Sequence, residues 1–278
     1  MSELDIEALQ AWVGHEESRS DKVGETALTQ FRCTLEDHLV ERDIEVVPPG
    51  FHWTLFPPIA PTTELGEDGH PRTVGLLPEM PLPARMWAGG TVVLRAPLQP
   101  GDEVVRNTQV SSIEAKAGGS GPLIFVKLDH EAFVGERAVI SETQNLVYRN
   151  PSAPAATASL QGESEGTPFR TNTCQLFRYS ALTFNSHRIH FDQAYARDVE
   201  GYPDLVVHGP LQATMMLNYL AKSLGHARIG LRYRGVSPLY VNERAWLFRE
   251  GGESGDVRVE RSPGQPTMKG QYAPASQF

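Results

Sequence analysis

The sequence predicts an α+β fold in which an antiparallel sheet curls around a central helix, with the plan laid down twice. Three observations carry this. Residues 209–225, "GPLQATMMLNYLAKSLG", place Leu211, Ala213, Met215, Met216, Leu217, Tyr219, Leu220 and Leu224 nearly all the way round a helix, and a helix without a wide polar face is buried. Two similar series of strand-like runs, each punctuated by turn residues, lie before and after the midpoint of the chain. Between them "NPSAPAATASLQGESEGTP", residues 150–168, has no period and reads as a linker or surface loop. An ordinary layered arrangement, with the helix on one face of a sheet, fits the same composition.

The elements follow in chain order. "ETALTQFRCTLEDHL" sets Leu28, Phe31, Leu35 and Leu39 at helical spacing. The next stretch, "PPGFHWTLFPPIAPTTELGEDGHP", is irregular, because prolines at 48, 49, 57, 58, 61 and 71 forbid a continuous helix or interior strand. "GTVVLRAPL", "DEVVRNTQVSSIEAK", "PLIFVKLDHEAF" and "RAVISETQNLVYR" read as strands, the last three long and antiparallel, with "AGGSGP" as a turn. After the buried helix come "HARIGLRYRGVSPL", "NERAWLFRE", "DVRVERS" and "MKGQYA", separated by "GGESG" and "PGQPT". The strand ending Arg95-Ala96-Pro97-Leu98 is similar to the one ending Val236-Ser237-Pro238-Leu239, which suggests a duplicated β-meander. The expected organisation is 1–149, a linker over 150–168, and 169–278.

A chain of 278 residues with 40% hydrophobic and 21% charged residues has the composition of a soluble globular protein. Its net charge of −9 argues against nonspecific nucleic-acid binding. No basic, apolar leader opens it, and no run approaches the roughly 18 apolar residues of a membrane span. Cys33 and Cys174 lie in different halves and form no CxxC pair, so a reduced, cytoplasmic setting is expected.

Two stretches carry chemistry. In "VVHGPL", Pro210 takes the first-helical position with Gly209 before it. Free amides, partial positive charge and the absence of a side chain make such a helix start suited to an oxygen that gains charge. A plain helix start reads the same way. "TFNSHRIHFD", residues 183–192, places His187 and His190 three apart. A metal pair would need further ligands, with only Asp192 and His208 to recruit, so no metal is expected. Core packing or acid/base work remains; His190 is able to exchange protons near neutral pH, and Asn185 can hold a water but cannot be a base.

"SALTFNSHRIHFDQAYA" followed by "EGYPDLVVHGPLQATMM", together with "FHWTLFPP" and "LPEMPLPARMWAGG", resembles the MaoC-like, hotdog-fold enoyl-thioester hydratases and dehydratases. The resemblance is to the two-hotdog branch containing mesaconyl-C4-CoA and itaconyl-CoA hydratases and mitochondrial type 2 hydroxyacyl-thioester dehydratases. It implies a double hotdog, each unit an antiparallel sheet wrapped around a helix, with a degenerate first unit and the hydratase motif in the second. That motif, Gly-Asp-x-Asn-Pro-Ile-His in the wider family, reads here Phe184-Asn185-Ser186-His187-Arg188-Ile189-His190. His190 falls on the catalytic histidine, Asn185 on the catalytic aspartate, and Gly209 where the thioester oxygen meets a backbone amide.

The activity so implied is reversible hydration of an enoyl-CoA, foremost a short dicarboxylic one such as itaconyl-CoA or mesaconyl-C4-CoA, without a cofactor. Dehydration of 3-hydroxyacyl groups on CoA or acyl carrier protein, thioester hydrolysis, and noncatalytic thioester binding are the alternatives. Arg188 could pair with a substrate carboxylate or form a plain surface salt bridge; Arg85, Arg232 and Arg234 are candidates for CoA phosphates or are simply solvated; Trp87 and Tyr202 could line the acyl pocket or belong to the core. His187 and His208 are expected nearby. Asp192 would orient His190 or, as "FDQAYA" suggests, cap a helix. Two hotdogs in one chain already form a pair and leave room for a homodimer.

Overall fold

The computed structural model describes residues 5–44, 46–73, 75–118, 121–150 and 164–278. Its strands form one antiparallel ten-stranded sheet in the order β1-β3-β4-β5-β2-β7-β10-β9-β8-β6. They are β1 (Glu16–Lys22), β2 (Ala84–Leu94), β3 (Glu103–Gly118), β4 (Gly121–Val134), β5 (Arg137–Arg149), β6 (Thr167–Arg170), β7 (Ile229–Gly235), β8 (Arg244–Gly251), β9 (Gly255–Ser262) and β10 (Gln265–Pro274). Matching β2 with β7, β3 with β8, β4 with β9 and β5 with β10 makes the order read alike from either end. The meander is therefore duplicated. Most of the expected linker, residues 151–163, lies outside the described residues.

The helices are α1 (Ile6–Gln10), α2 (Glu25–Leu35), α3 (Thr173–Thr183), α4 (Gln193–Asp198) and α5 (Gly209–Leu224). α5 is the expected central helix. Proline in its first turn starts it, and Gly225 ends it in the left-handed conformation, φ 73°. It packs against β2, β7, β8 and β9, and Leu211, Met216, Leu217 and Leu220 are wholly buried. Each such side chain contributes about 1.5–3 kcal/mol by leaving water. One buried polar residue interrupts this face: Asn218 accepts the Val40 N–H at 3.0 Å and donates to the Pro49 carbonyl at 2.8 Å. The proline-rich stretch is thereby pinned to the helix.

The halves join where β2 pairs with β7, Gly89 opposite Arg234 and Gly90 opposite Tyr233. A Cβ on Gly89 would lie 2.3 Å from the Tyr233 carbonyl oxygen, and one on Gly90 2.1 Å from that of Thr143. The "AGG" sequence thus admits close backbone approach on both flanks of β2.

Some elements differ from the sequence expectation. β2 begins at Ala84, before the expected Gly90, and α2 stops at Leu35, a 3-10 turn over Glu36–His38 replacing its last turn. α3 was not foreseen, although Asn172 and Gln175 form a capping box at its start. β1, "EESRSDK", escaped because it has no apolar alternation; as an edge strand it buries none of its residues. The opposite edge, β6, has four residues including Pro168.

Candidate active site

The motif segment is shaped by local hydrogen bonds. α3 ends at a left-handed Phe184, φ 50°, and the Asn185 side-chain oxygen accepts the His187 N–H at 3.0 Å. A 3-10 turn over Arg188–His190 follows, then Asp192, whose carboxylate accepts the Tyr195 N–H at 3.0 Å and caps α4. Asp192 also pairs with Arg188 at 2.8 Å. It is the cap, and another group orients His190.

That group is the Val206 carbonyl, which accepts a hydrogen bond from His190 Nδ1 at 2.7 Å. The bond places the proton on Nδ1 and leaves Nε2 with a lone pair. The His190 ring stacks on His208 with centroids 3.6 Å apart, and His208 Nε2 meets Ser180 Oγ at 2.9 Å. Burial pulls the His190 pKa down to about 4, against the Val206 bond, with His70 adding to the fall. His187 and His208 are held well below the ordinary imidazole range, chiefly by burial. At neutral pH this is a nest of uncharged imidazoles, able to accept hydrogens from water.

His190, His187, Asn185, Gly209, Arg85, Trp87 and Tyr202 all line one cavity of about 560 Å3. Gly209 opens α5, and His208 before it makes no side-chain capping bond. First-turn amides have no acceptor within their own helix. His190 and Gly209 therefore line the same space. Trp87 donates from Nε1 to Tyr233 Oη at 3.1 Å, and Arg149 donates to Tyr202 Oη at 3.4 Å, fixing two walls. Arg85 makes no hydrogen bond or ion pair among the described residues, and its charge bears on Asp68, His70 and His187.

Four expected residues do not line it, among them Arg234, which is exposed on β7. Arg188 holds Asp192, lies over the Tyr195 ring at 4.0 Å and donates to the Glu67 carbonyl at 3.1 Å, so its guanidinium is committed to structure. His208, wholly buried, stands behind His190 as a support. Arg232 lies on the exposed face of β7, 5.9 Å from the Phe278 ring.

Other lining residues were missed, and most belong to the first half: Trp53, His70, Arg106, His130 and Gln144. The signal for one of them was the "EDGHP" at 67–71, an acid and a histidine across a glycine turn, passed over as merely irregular. His70 Nδ1 and Asp68 Oδ2 lie 2.9 Å apart. Ligand atoms of Asp68, His70 and His187 come within 4.8 Å of one another, spacing that would admit a cation. The donor set does not favour one: Asp68 is already bonded to His70, and the positive Arg85 faces the same three groups.

The family model for hydroxyacyl-thioester dehydratase type 2 matches residues 50–241. The chain belongs to this family. A mesaconyl-C(4)-CoA hydratase of Chloroflexus aurantiacus is 36% identical over 265 residues, covering 93% of this chain and 95% of that protein. A mitochondrial hydroxyacyl-thioester dehydratase type 2 of Schizosaccharomyces pombe is 26% identical, covering 87% of this chain and 91% of that one. Among solved structures, HtdX of Mycobacterium tuberculosis aligns with a TM-score of 0.68 at 15% identity, covering 93% of this chain and all of its own. A further Mycobacterium tuberculosis protein, described as a double hotdog, aligns at 0.57 and 12% identity over 94% of this chain and 95% of its own. The fold is the double hotdog, and the protein is an enzyme of the hydratase/dehydratase kind. Among the described residues no helix is long and apolar enough to cross a membrane.

Proposed function

We propose that this enzyme adds water reversibly across the double bond of a short dicarboxylic enoyl-CoA, mesaconyl-C4-CoA or itaconyl-CoA, giving citramalyl-CoA. The observation that carries the reading is the shared cavity: His190, its Nε2 lone pair free, and the Gly209 amide at a helix start line one space. For mesaconyl-C4-CoA, whose double bond is conjugated with the thioester, the thioester oxygen sits at Gly209, where fixed donors stabilise the enolate; one such donor is typically worth about 3 kcal/mol of barrier. His190 takes a proton from water, and the Asn185 amide helps to position that water. Arg85, without an ion pair among the described residues and near the imidazoles, receives the free carboxylate of the acyl group in place of the CoA phosphates expected from sequence. Trp87 and Tyr202 wall the acyl chain. The relationship to the Chloroflexus hydratase supports the choice of substrate.

The site residues work within a second unit, 169–278, on a degenerate first unit, 1–149. Cys33 and Cys174 are free and exposed, which suits a reducing cytoplasm. Dehydration of 3-hydroxyacyl chains is the second reading, favoured by the family match and the yeast relative.

The test is loss of enoyl-thioester absorbance across mesaconyl-C4-, crotonyl- and long-chain CoA esters and the same acids on carrier protein, with citramalyl-CoA formation followed by product analysis for itaconyl-CoA, whose double bond is not conjugated with its thioester. Hydration of the dicarboxylic esters is expected, and Arg85→Met should raise KM for these alone. His190→Ala should lower turnover about 100-fold or more. Faster turnover of long or carrier-bound acids would replace this substrate assignment with the second reading.

A further inference from the structure

Water that adds across a double bond has two O–H bonds, and a site that aims its lone pair at one carbon must hold both. His190 accepts one. Asn185, standing where the wider family has a carboxylate, has its side-chain oxygen engaged by the His187 N–H, and its other group is a donor.

An acceptor arrives from the other half of the molecule. The 66–70 turn is fastened to the motif segment by three hydrogen bonds. Ser186 Oγ donates to the Gly69 carbonyl at 2.5 Å, Arg188 N–H to that of Asp68 at 2.8 Å, and the Arg188 guanidinium to that of Glu67 at 3.1 Å. Gly69 has φ 89°, and a Cβ there would lie 2.0 Å from the Ser186 carbonyl oxygen, so only glycine allows this approach. Within the turn, Asp68 accepts both the backbone N–H of His70, at 3.0 Å, and its Nδ1–H, at 2.9 Å. The carboxylate fixes the tautomer, as it does for histidines in other catalytic sites, and turns Nε2 into an acceptor. His70 lines the cavity, its ring 4.2 Å from His187, which stands edge-on to His190 at 5.4 Å.

We infer that His70, held by Asp68, is a second catalytic residue of this site, its Nε2 accepting the other O–H of the water that adds. The inference rests on the hydration reading above. As the water oxygen bonds to the β-carbon of a conjugated enoyl thioester such as mesaconyl-C4-CoA, His190 Nε2 takes one proton and the C=C electron pair passes to the thioester oxygen at Gly209. When the enolate collapses, the His190 imidazolium returns that proton to the α-carbon. His70 stays neutral, and its hydrogen bond passes from the water to the new hydroxyl. One water is consumed and no net proton moves. The groups facing His70 are Asp68 on its own turn, His187 and His190 on the motif segment, and Arg85 on β2; burial and Arg85 outweigh Asp68 and keep its pKa below the ordinary value.

The experiment compares His70→Ala, His70→Gln and Asp68→Asn with His190→Ala in the full chain, on the enoyl-CoA that the unaltered enzyme hydrates fastest. His70→Ala should lower kcat by about 100-fold with KM within about threefold, and Asp68→Asn by about 10-fold. His70→Gln, which offers an amide oxygen, should recover about 10-fold over the alanine variant. The acid limb of log kcat/KM should be less steep in His70→Gln than in the unaltered enzyme, since one imidazole fewer then titrates in the site. Should His70→Ala fail to fold, the glutamine variant and the slopes decide. A His70→Ala kcat within about threefold while His190→Ala is inactive overturns this inference alone, as does an unchanged slope with no rescue by glutamine. If the unaltered enzyme hydrates no enoyl thioester, the proposed function falls and this inference with it.

Discussion

The two halves of the sheet are built alike and filled differently. In the second, α5 lies against β7, β8 and β9 and its side chains close the interior. In the first, α2 packs on α3 instead, and the helix lying against β3 is the five-residue α1. The space is not closed: Arg106 and Thr108 of β3, Leu128 and His130 of β4 and Gln144 of β5 face the cavity. The two meanders are alike, and the cavity opens against the one that has no long helix of its own laid along its strands. The same half lends His70 to the lining of that cavity, where its ring lies beside His187 of the other half.

Acid should act most strongly, and on both halves. His190 is held near 4, and His52 and His130 near 3, all mainly by burial. Each is neutral when folded and takes a proton when unfolded below about 6.5, so stability is full above that pH and lost as pH falls towards 4. Each group accounts for on the order of 3 kcal/mol at pH 4. Unfolding midpoints measured from pH 7 to 4 should fall steeply, and His130→Gln should flatten the curve.

The closed interior and the cavity wall can be separated next. Leu217→Ala in α5 empties a closed interior and should cost about 3 kcal/mol in denaturant unfolding. Leu128→Ala enlarges an existing cavity, should cost less than about 1 kcal/mol, and should shift preference towards longer acyl chains. Equal losses at the two positions would break the comparison. Asn218→Ala leaves the Val40 N–H and Pro49 carbonyl without their partner and should cost about 2 kcal/mol. Gly69→Ala should unseat the 66–70 turn and lower kcat/KM about 10-fold, equivalent to about 1.4 kcal/mol, with little change in unfolding.

Legibility in the sequence followed how local each signal was. The bounds of β5 and the start of α5 were readable because alternation and a Gly-Pro start are encoded within a few residues. The pairing of β2 with β7, which makes one sheet of two meanders, depends on glycines whose partners lie over 140 positions away. His190 and Gly209 stood out through motif and helix start. His70 did not, since its place is set by contacts to Ser186 and Arg188 that no spacing announces. Arg188 read equally as a ligand for a substrate carboxylate and as one half of an ion pair, and it pairs with the Asp192 beside it.

An open sheet of ten strands has two rims where a further strand could add. β1 presents Glu16, Glu17, Arg19, Asp21 and Lys22 along one rim, and β6 is short and contains Pro168 on the other. Charge and proline are the means by which natural sheets refuse edge-to-edge growth. Both rims thus carry features that oppose the addition of another strand.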